Sequence, residues 1–291
     1  MKTSIQIEED KSKKFELLHN KQDKDFVALT LDNVARVEAM IRMDSNYTLS
    51  GNVKAEPSKH NNGTLYNGST AYWMTLLKRI VDGESNIEGK VVKDGKIVQR
   101  TMGWNDICIE AIAAVDRENS THLNIANGRE VFLQNLTKVY LSGNLIPLLK
   151  CQQYKTKEFV INLLNPSVFV NVNTNIRKYS YNRSSYSFTT KFCHYFCYYI
   201  FEGLPEQDNF SIYDDILGTS LVAYTKKYGV VKEDNKAYEK NDFKSYATYS
   251  KVIDDIRQRA AAETGYLISR NGFDHLLWYY HKGHPIQINS K

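Results

Sequence analysis

The sequence predicts a mainly α-helical protein with a single small β-hairpin. Three observations carry that expectation: apolar residues recur at a helical period in segment after segment, one Asp-Gly pair stands between two β-branched runs, and the composition is that of an ordinary globular chain. At 291 residues the chain can bury a core without a metal or disulfide staple, as one large domain or two small ones. Its 42% hydrophobic and 24% charged content, with a mean hydropathy of −0.48, excludes a disordered chain and a membrane-spanning run.

The elements follow in order. Residues 1–25 alternate charges and read as a tail or leading helix; they contain no apolar core of signal-peptide length, so a cytoplasmic protein is expected. Leu31, Val34, Val37, Met40 and Ile41 make a helical stripe over 31–43, with Asp32 near its first turn. Residues 45–69, polar and rich in Asn and Gly, read as a long loop before a helix over 70–81. Asp94-Gly95, flanked by KVV and IVQ, predicts a hairpin over 89–99. Residues 104–115 are helical, and 130–149 hold one broken helix or two short ones around Ser142-Gly143-Asn144. A short helix over 157–164 stops at Asn165-Pro166, and residues 167–185, rich in Asn, Tyr and Ser, read as a loop. Helices are expected over 188–201, 214–228, 243–263 and 271–281. The expected organisation is a tail (1–25), an N-terminal helical lobe with the hairpin (26–149) and a basic lobe (150–291) whose last helix, 271–281, packs at a cleft.

The 38 basic and 33 acidic residues leave a net charge of +5, and its placement is uneven. Residues 1–145 hold 19 of each sign, whereas 146–291 hold 19 basic and 14 acidic residues. The densest part is 150–191, where Lys150, Lys155, Lys157, Arg177, Lys178, Arg183 and Lys191 face one acid, Glu158. Such a stretch is either a polyanion footprint or an exposed basic face with no partner.

No P-loop, Gly-x-Gly-x-x-Gly, Gly-x-Ser-x-Gly or His-Glu-x-x-His occurs, which argues against nucleotide hydrolysis, dinucleotide binding, an α/β-hydrolase and a zincin. Cys108, Cys151, Cys193 and Cys197 suit no disulfide framework, and Cys193 and Cys197, four apart in an apolar run, read as buried thiols. His275, His281 and His284 match no metal spacing, and no metal or cofactor is expected. The acidic pair Asp254-Asp255 reads as the solvated face of an amphipathic helix, which leaves a metal-dependent nuclease little support.

One segment remains that can carry chemistry. Ser187, Thr189 and Thr190 are capping residue types placed where an apolar helix is expected to begin, which puts Lys191 in its first turn. A lysine there meets the positive end of the helix dipole and local burial, and both favour the neutral, nucleophilic amine. The competing reading is a lysine that snorkels out of the turn. Asp214 and Asp215 close the extended Phe210-Ser-Ile-Tyr and open the next helix; capping needs one carboxylate, and the other can face a cleft.

Ser187-Phe188-Thr189-Thr190-Lys191, the apolar helix with its cysteine, and Ser211-Ile212-Tyr213-Asp214 together resemble the catalytic core of the helix-hairpin-helix DNA glycosylases, most closely the 8-oxoguanine branch, over about residues 180–225. In that branch the hairpin ends in Gly-Val-Gly-Thr-Lys and the next helix opens after Val-Pro-Val-Asp. The resemblance implies a two-lobed helical fold and a monomeric enzyme that flips a damaged or modified base from double-stranded DNA and breaks its N-glycosidic bond. It makes Lys191 a Schiff-base nucleophile with AP-lyase capacity and Asp214 the carboxylate that stabilises the sugar cation, with Asp215 as the fallback. Ser187 and Thr189 replace the hairpin glycines, so the DNA backbone is expected to be held by hydroxyls together with Arg177, Lys178 and Arg183. On the last helix, Phe273 or Trp278 is expected to stack on the flipped base. Asn173, Asn175 or the turn Asn124–Asn127 is the expected wedge. The role is base-excision repair or defence against phage with modified DNA bases; the alternative is a non-catalytic nucleic-acid-binding protein on the same fold.

Overall fold

The computed structural model describes residues 15–16, 26–43, 69–93, 96–119, 121, 123, 128–173, 178–281 and 287–288. Among them the chain is mainly helical, with three two-stranded antiparallel sheets. Two compact units form, one of residues 48–210 and one of residues 1–47 with 211–291. The lobe boundary expected at 149/150 falls inside the first unit. The reason is the apolar helix Tyr186–Ile200, which packs on Thr70–Val81, Trp104–Asn119 and Tyr154–Leu164 and so ties together segments from both sides of residue 150.

In unit 48–210, Ser69 opens the helix Thr70–Val81 by accepting the Tyr72 N–H at 3.2 Å, and the helix buries Trp73, Met74 and Leu77. The expected hairpin forms, with Ile87–Lys93 paired antiparallel against Lys96–Met102; Asp94 and Gly95 lie outside the described residues. The helix expected to break near residue 143 becomes Gly128–Leu141 and Leu145–Lys150, with Gly143 in the left-handed region at φ +73°. Phe132 lies edge-on to both Phe188 and Phe192, 4.9 Å from each ring. Beside this core Asp116 accepts from Thr121 Oγ1 (2.6 Å), Leu123 N–H (2.8 Å) and Arg129 Nη2 (2.7 Å), pinning the chain entering Gly128–Leu141. Burial raises the Asp116 carboxyl, but these three donors outweigh it and hold the group below the usual carboxylate value.

Residues 167–185 are not the expected loop. Ser167–Asn173 pairs antiparallel with Lys178–Ser184 through seven residue pairs, from Ser167↔Ser184 to Asn173↔Lys178. Their period-2 alternation, Val168, Val170 and Val172 against Tyr179 and Tyr181, is a strand signal that the Asn and Ser content obscures. Ser185 N–H donates to Asn165 Oδ1 at 3.0 Å, joining the residues at the foot of the ribbon.

In the other unit, Leu31–Met43 packs against Arg270–His281 where Gly272 permits a close approach; a Cβ there would lie 2.8 Å from Val34 Cγ1. Ser245 caps the helix Tyr246–Thr264, which ends at Gly265 with φ +79°. Asp254 overturns the solvated-face expectation: it is buried, with Oδ1 2.7 Å from Arg257 Nη1 and Oδ2 2.5 Å from Arg270 Nη2. Arg257 also donates from Nε and Nη2 to Ile268 O, tying the turn after Gly265 to the helix. Asp255, one residue on, pairs with Lys251 at 2.7 Å. The two-residue strands Phe15–Glu16 and Gln287–Ile288 pair in this unit, and the rest of the expected N-terminal tail lies outside the described residues.

Candidate functional site

Lys191 belongs to unit 48–210 and Asp214 to the other. The helix that carries Lys191 begins earlier than its capping residue types suggest. Ser185 is the N-cap and Tyr186 the first helical residue, and the first helical bond runs from Thr189 N–H to Ser185 O at 2.9 Å. Lys191 therefore stands in the second turn, where the field of the helix end has largely decayed. The hydroxyls expected to cap act inside the helix instead: Thr189 Oγ1 donates to Ser185 O and Thr190 Oγ1 to Ser187 O. Thr189 is fully buried, which removes it from any surface that could grip a phosphate, while Ser187 is half-buried.

Burial distinguishes Lys191. It is 8% exposed, on a helix whose residues 188–194 are all buried, so it does not snorkel into solvent. His194, one turn on, is also buried, and its Nδ1 lies 2.7 Å from Phe210 O. A carbonyl only accepts, so Nδ1 carries the hydrogen, and the ring is fixed beside Tyr198, with the centroids 6.1 Å apart. Cys193 and Cys197 are buried on the same helix, and burial pushes both thiols far above the ordinary value. Lys157 is a second buried lysine in this unit, with Nζ 5.8 Å from the Tyr154 ring. The chain leaves the unit at Asn209 and Phe210. Asn209 Nδ2 donates to Leu149 O (2.6 Å) and Cys151 O (3.0 Å), while Phe210 O accepts from His194.

Immediately beyond, the extended residues before Asp214 are fixed by side chains from two helices of the other unit. Tyr246 Oη accepts from Ser211 N–H at 2.8 Å and donates to Ser211 O at 3.0 Å. Ile212 N–H donates to Asp274 Oδ2 at 2.7 Å, and Tyr249 Oη donates to Ile212 O at 2.6 Å. Every backbone polar group of Ser211 and Ile212 thus has a buried side-chain partner, which an extended segment outside any sheet needs. Tyr213 lies edge-on to Tyr249 at 5.2 Å and over Gly218, where a Cβ would come within 3.0 Å of its hydroxyl.

Of the two carboxylates, either of which could have capped this helix, Asp214 is the N-cap of Asp215–Lys227: Oδ1 accepts the Leu217 N–H at 2.8 Å. The side chain is half-buried, and Oδ2 takes no hydrogen bond from the described residues. Asp215 is exposed and paired with Lys240 at 2.5 Å. The two carboxylates thus divide as capping logic requires, but it is the cap that stands on the rigid mount.

The remaining expected residues are distributed as follows. Phe273 is buried in its unit's core beside Asp274 and presents no face for a base, whereas Trp278, half-buried and 5.0 Å from Tyr279, keeps part of its ring at the surface. Lys178, Arg183 and Asn173 lie on the 167–184 ribbon; Arg177, Asn175, Asn124–Asn127 and His284 lie outside the described residues. Sequence reasoning missed His194, Tyr246, Tyr249 and Asp274. A signal existed for Asp274, a carboxylate among Phe273, Leu276 and Leu277 on an apolar helix face, where a polar group needs a partner. Among the described residues no cluster of three metal-ligating side chains occurs, and no helix is long and apolar enough to cross a membrane. No protein family, curated protein or solved structure compared with this chain matches it.

Proposed function

We propose that this protein is a DNA glycosylase of the helix-hairpin-helix type, acting in the cytoplasm as a monomer on double-stranded DNA that holds a damaged or modified base. One observation carries the reading: Asp214 is a half-buried carboxylate with one oxygen spoken for by the helix and the other taking no hydrogen bond from the described residues, on a segment whose backbone is locked by Tyr246, Tyr249 and Asp274. Breaking an N-glycosidic bond builds positive charge on the sugar, and a carboxylate that need not reorganise stabilises that charge most effectively. In this reading Asp214 stabilises the charge on the sugar and Lys191, as the neutral amine, is the nucleophile that displaces the base, giving an imine that permits strand cleavage; without that attack the product is an abasic site. Burial of Lys191 supports the nucleophile role over a surface contact to phosphate. Trp278 is the better of the two candidate stacking residues because it is half-buried where Phe273 is fully buried. The biological role under this reading is base-excision repair or defence against phage with modified bases.

The test incubates the purified protein with duplexes that carry oxidised, alkylated and hypermodified bases, with borohydride trapping on an abasic duplex alongside. Release of a base, with or without a trapped adduct, is the expected result. Duplex binding with no base released and no adduct formed would instead establish a non-catalytic nucleic-acid-binding protein.

A further inference from the structure

The helix that Asp214 caps opens on poor helix formers, for Gly218, Thr219 and Ser220 follow one another within its first two turns. Glycine in a helix interior is the least favourable residue after proline. Here it has a visible use. The Tyr213 ring lies across it, and a Cβ on Gly218 would stand 3.0 Å from the ring's Oη, 3.1 Å from Cε2 and 3.2 Å from Cζ, so the ring would have to give way. The ring also meets Tyr249 edge-on, with centroids 5.2 Å apart and planes at 77°. Tyr249 in turn donates to Ile212 O, so one side chain fixes both the ring and the backbone that leads to it. Tyr213 precedes the N-cap and Gly218 is the fourth helical residue, the two positions that a hydrophobic staple joins to fix the angle at which a chain enters its helix. An ordinary staple packs one apolar side chain on another, whereas this ring rests on the helix backbone itself. Burial, and after it the charge of Asp215, hold the phenol above its ordinary value, so the ring stays neutral at physiological pH.

We propose that Tyr213 is a positioning residue for Asp214: seated on Gly218 and against Tyr249, its ring sets the angle at which the chain enters the helix and so the place of the adjacent carboxylate. Its effect on rate rests on the catalytic role of Asp214 in the proposed function, whereas its effect on the cap does not. The cap can therefore be followed without DNA. Leu217 N–H is one of the first-turn donors that a helix leaves to its cap, and Asp214 Oδ1 takes it, so amide exchange at Leu217 reports the seat of the carboxylate. Exchange at Leu221, one turn further on, reports the helix itself.

Gly218→Ala puts a methyl group under the ring and removes no side chain that could touch DNA, while alanine favours the helix. In this variant Leu217 is expected to exchange about fivefold faster, the factor that matches loss of a typical cap hydrogen bond, with Leu221 no faster than in the wild type and the melting temperature close to it. An unchanged Leu217 rate overturns the proposal. On the duplex whose base the wild type releases, drawn from the oxidised, alkylated and hypermodified panel, Gly218→Ala is expected to lower kcat about tenfold and leave KM unchanged, since a small displacement of the carboxylate costs rate rather than binding. Tyr213→Ala is expected to show both losses, and Tyr213→Phe, which keeps the ring and its seat, to recover both. Failure of phenylalanine to recover them assigns the effect to the hydroxyl and overturns the role of the ring. A rate that Asp214→Asn lowers and Gly218→Ala does not overturns the proposal alone. A wild type that releases no base removes the glycosylase reading, and exchange at Leu217 then decides by itself whether the ring places the carboxylate.

Discussion

In the unit that carries Lys191 the candidate residue stands in a stretch of helix, 188–194, that is buried throughout, and Phe188, Phe192 and Cys193 beside it in the sequence are apolar. In the unit that carries Asp214 the candidate stands at the end of a strand-like segment held by hydrogen bonds from Tyr246, Tyr249 and Asp274. Apolar packing resists changes of volume but tolerates a change of chemistry at constant shape. A polar mount behaves in the opposite way: removing one atom leaves a buried donor or acceptor unsatisfied. The two residues therefore answer differently to conservative substitution, and that difference can be measured.

The largest effect is expected where the polar unit concentrates charge. Asp254→Ala leaves Arg257 and Arg270 without their shared carboxylate and costs about 3–5 kcal/mol, read as a lowered melting temperature. Tyr249→Phe removes the donor to Ile212 O with almost no change of volume and costs about 1–2 kcal/mol. Faster amide exchange at Leu217, whose N–H Asp214 accepts, would locate that loss at the mount; unchanged exchange there would separate Tyr249 from the cap.

Unit 48–210 has a polar clamp of its own at Asp116, and it offers a pH handle. The Asp116 carboxyl is held low in the folded state, so its contribution is present above the unfolded value of about 3.9 and is lost as the pH falls through the folded value. Asp116→Asn is expected to flatten acid unfolding in that window, and a full acid transition in the variant would assign it to other carboxylates. The smallest stability change in the series is expected at Lys191→Met. A buried amine replaced by an apolar side chain of similar length leaves stability within about 1 kcal/mol, while trapping on abasic DNA disappears.

The same contrast explains what was legible in the sequence. Helices with a clean apolar stripe, such as Thr70–Val81 and Leu31–Met43, and the Asp-Gly hairpin follow from local pattern. So does a carboxylate cap at 214–215, because a cap is a local hydrogen bond, although the pattern does not decide which of the two aspartates makes it. The start of Tyr186–Ile200 does not: Ser187, Thr189 and Thr190 look like caps, yet the two threonines bond carbonyls within the helix. The 167–184 ribbon was hidden because Thr174-Asn175-Ile176-Arg177 contains no two-residue turn signal. The mount for Asp214 lay beyond any local reading, since its partners come from 35 to 62 residues away along the chain.

The central claim is that the mounted carboxylate performs chemistry. It is tested most directly by the single-turnover rate of base release by Asp214→Asn on whichever duplex the wild type processes, with affinity for an abasic duplex measured in parallel. Asparagine keeps an oxygen for the Leu217 N–H but loses the charge. The expected result is a rate lower by about 10²–10³-fold with affinity and melting temperature near those of the wild type. An Asp214→Asn protein that releases the base at the wild-type rate would contradict the assignment.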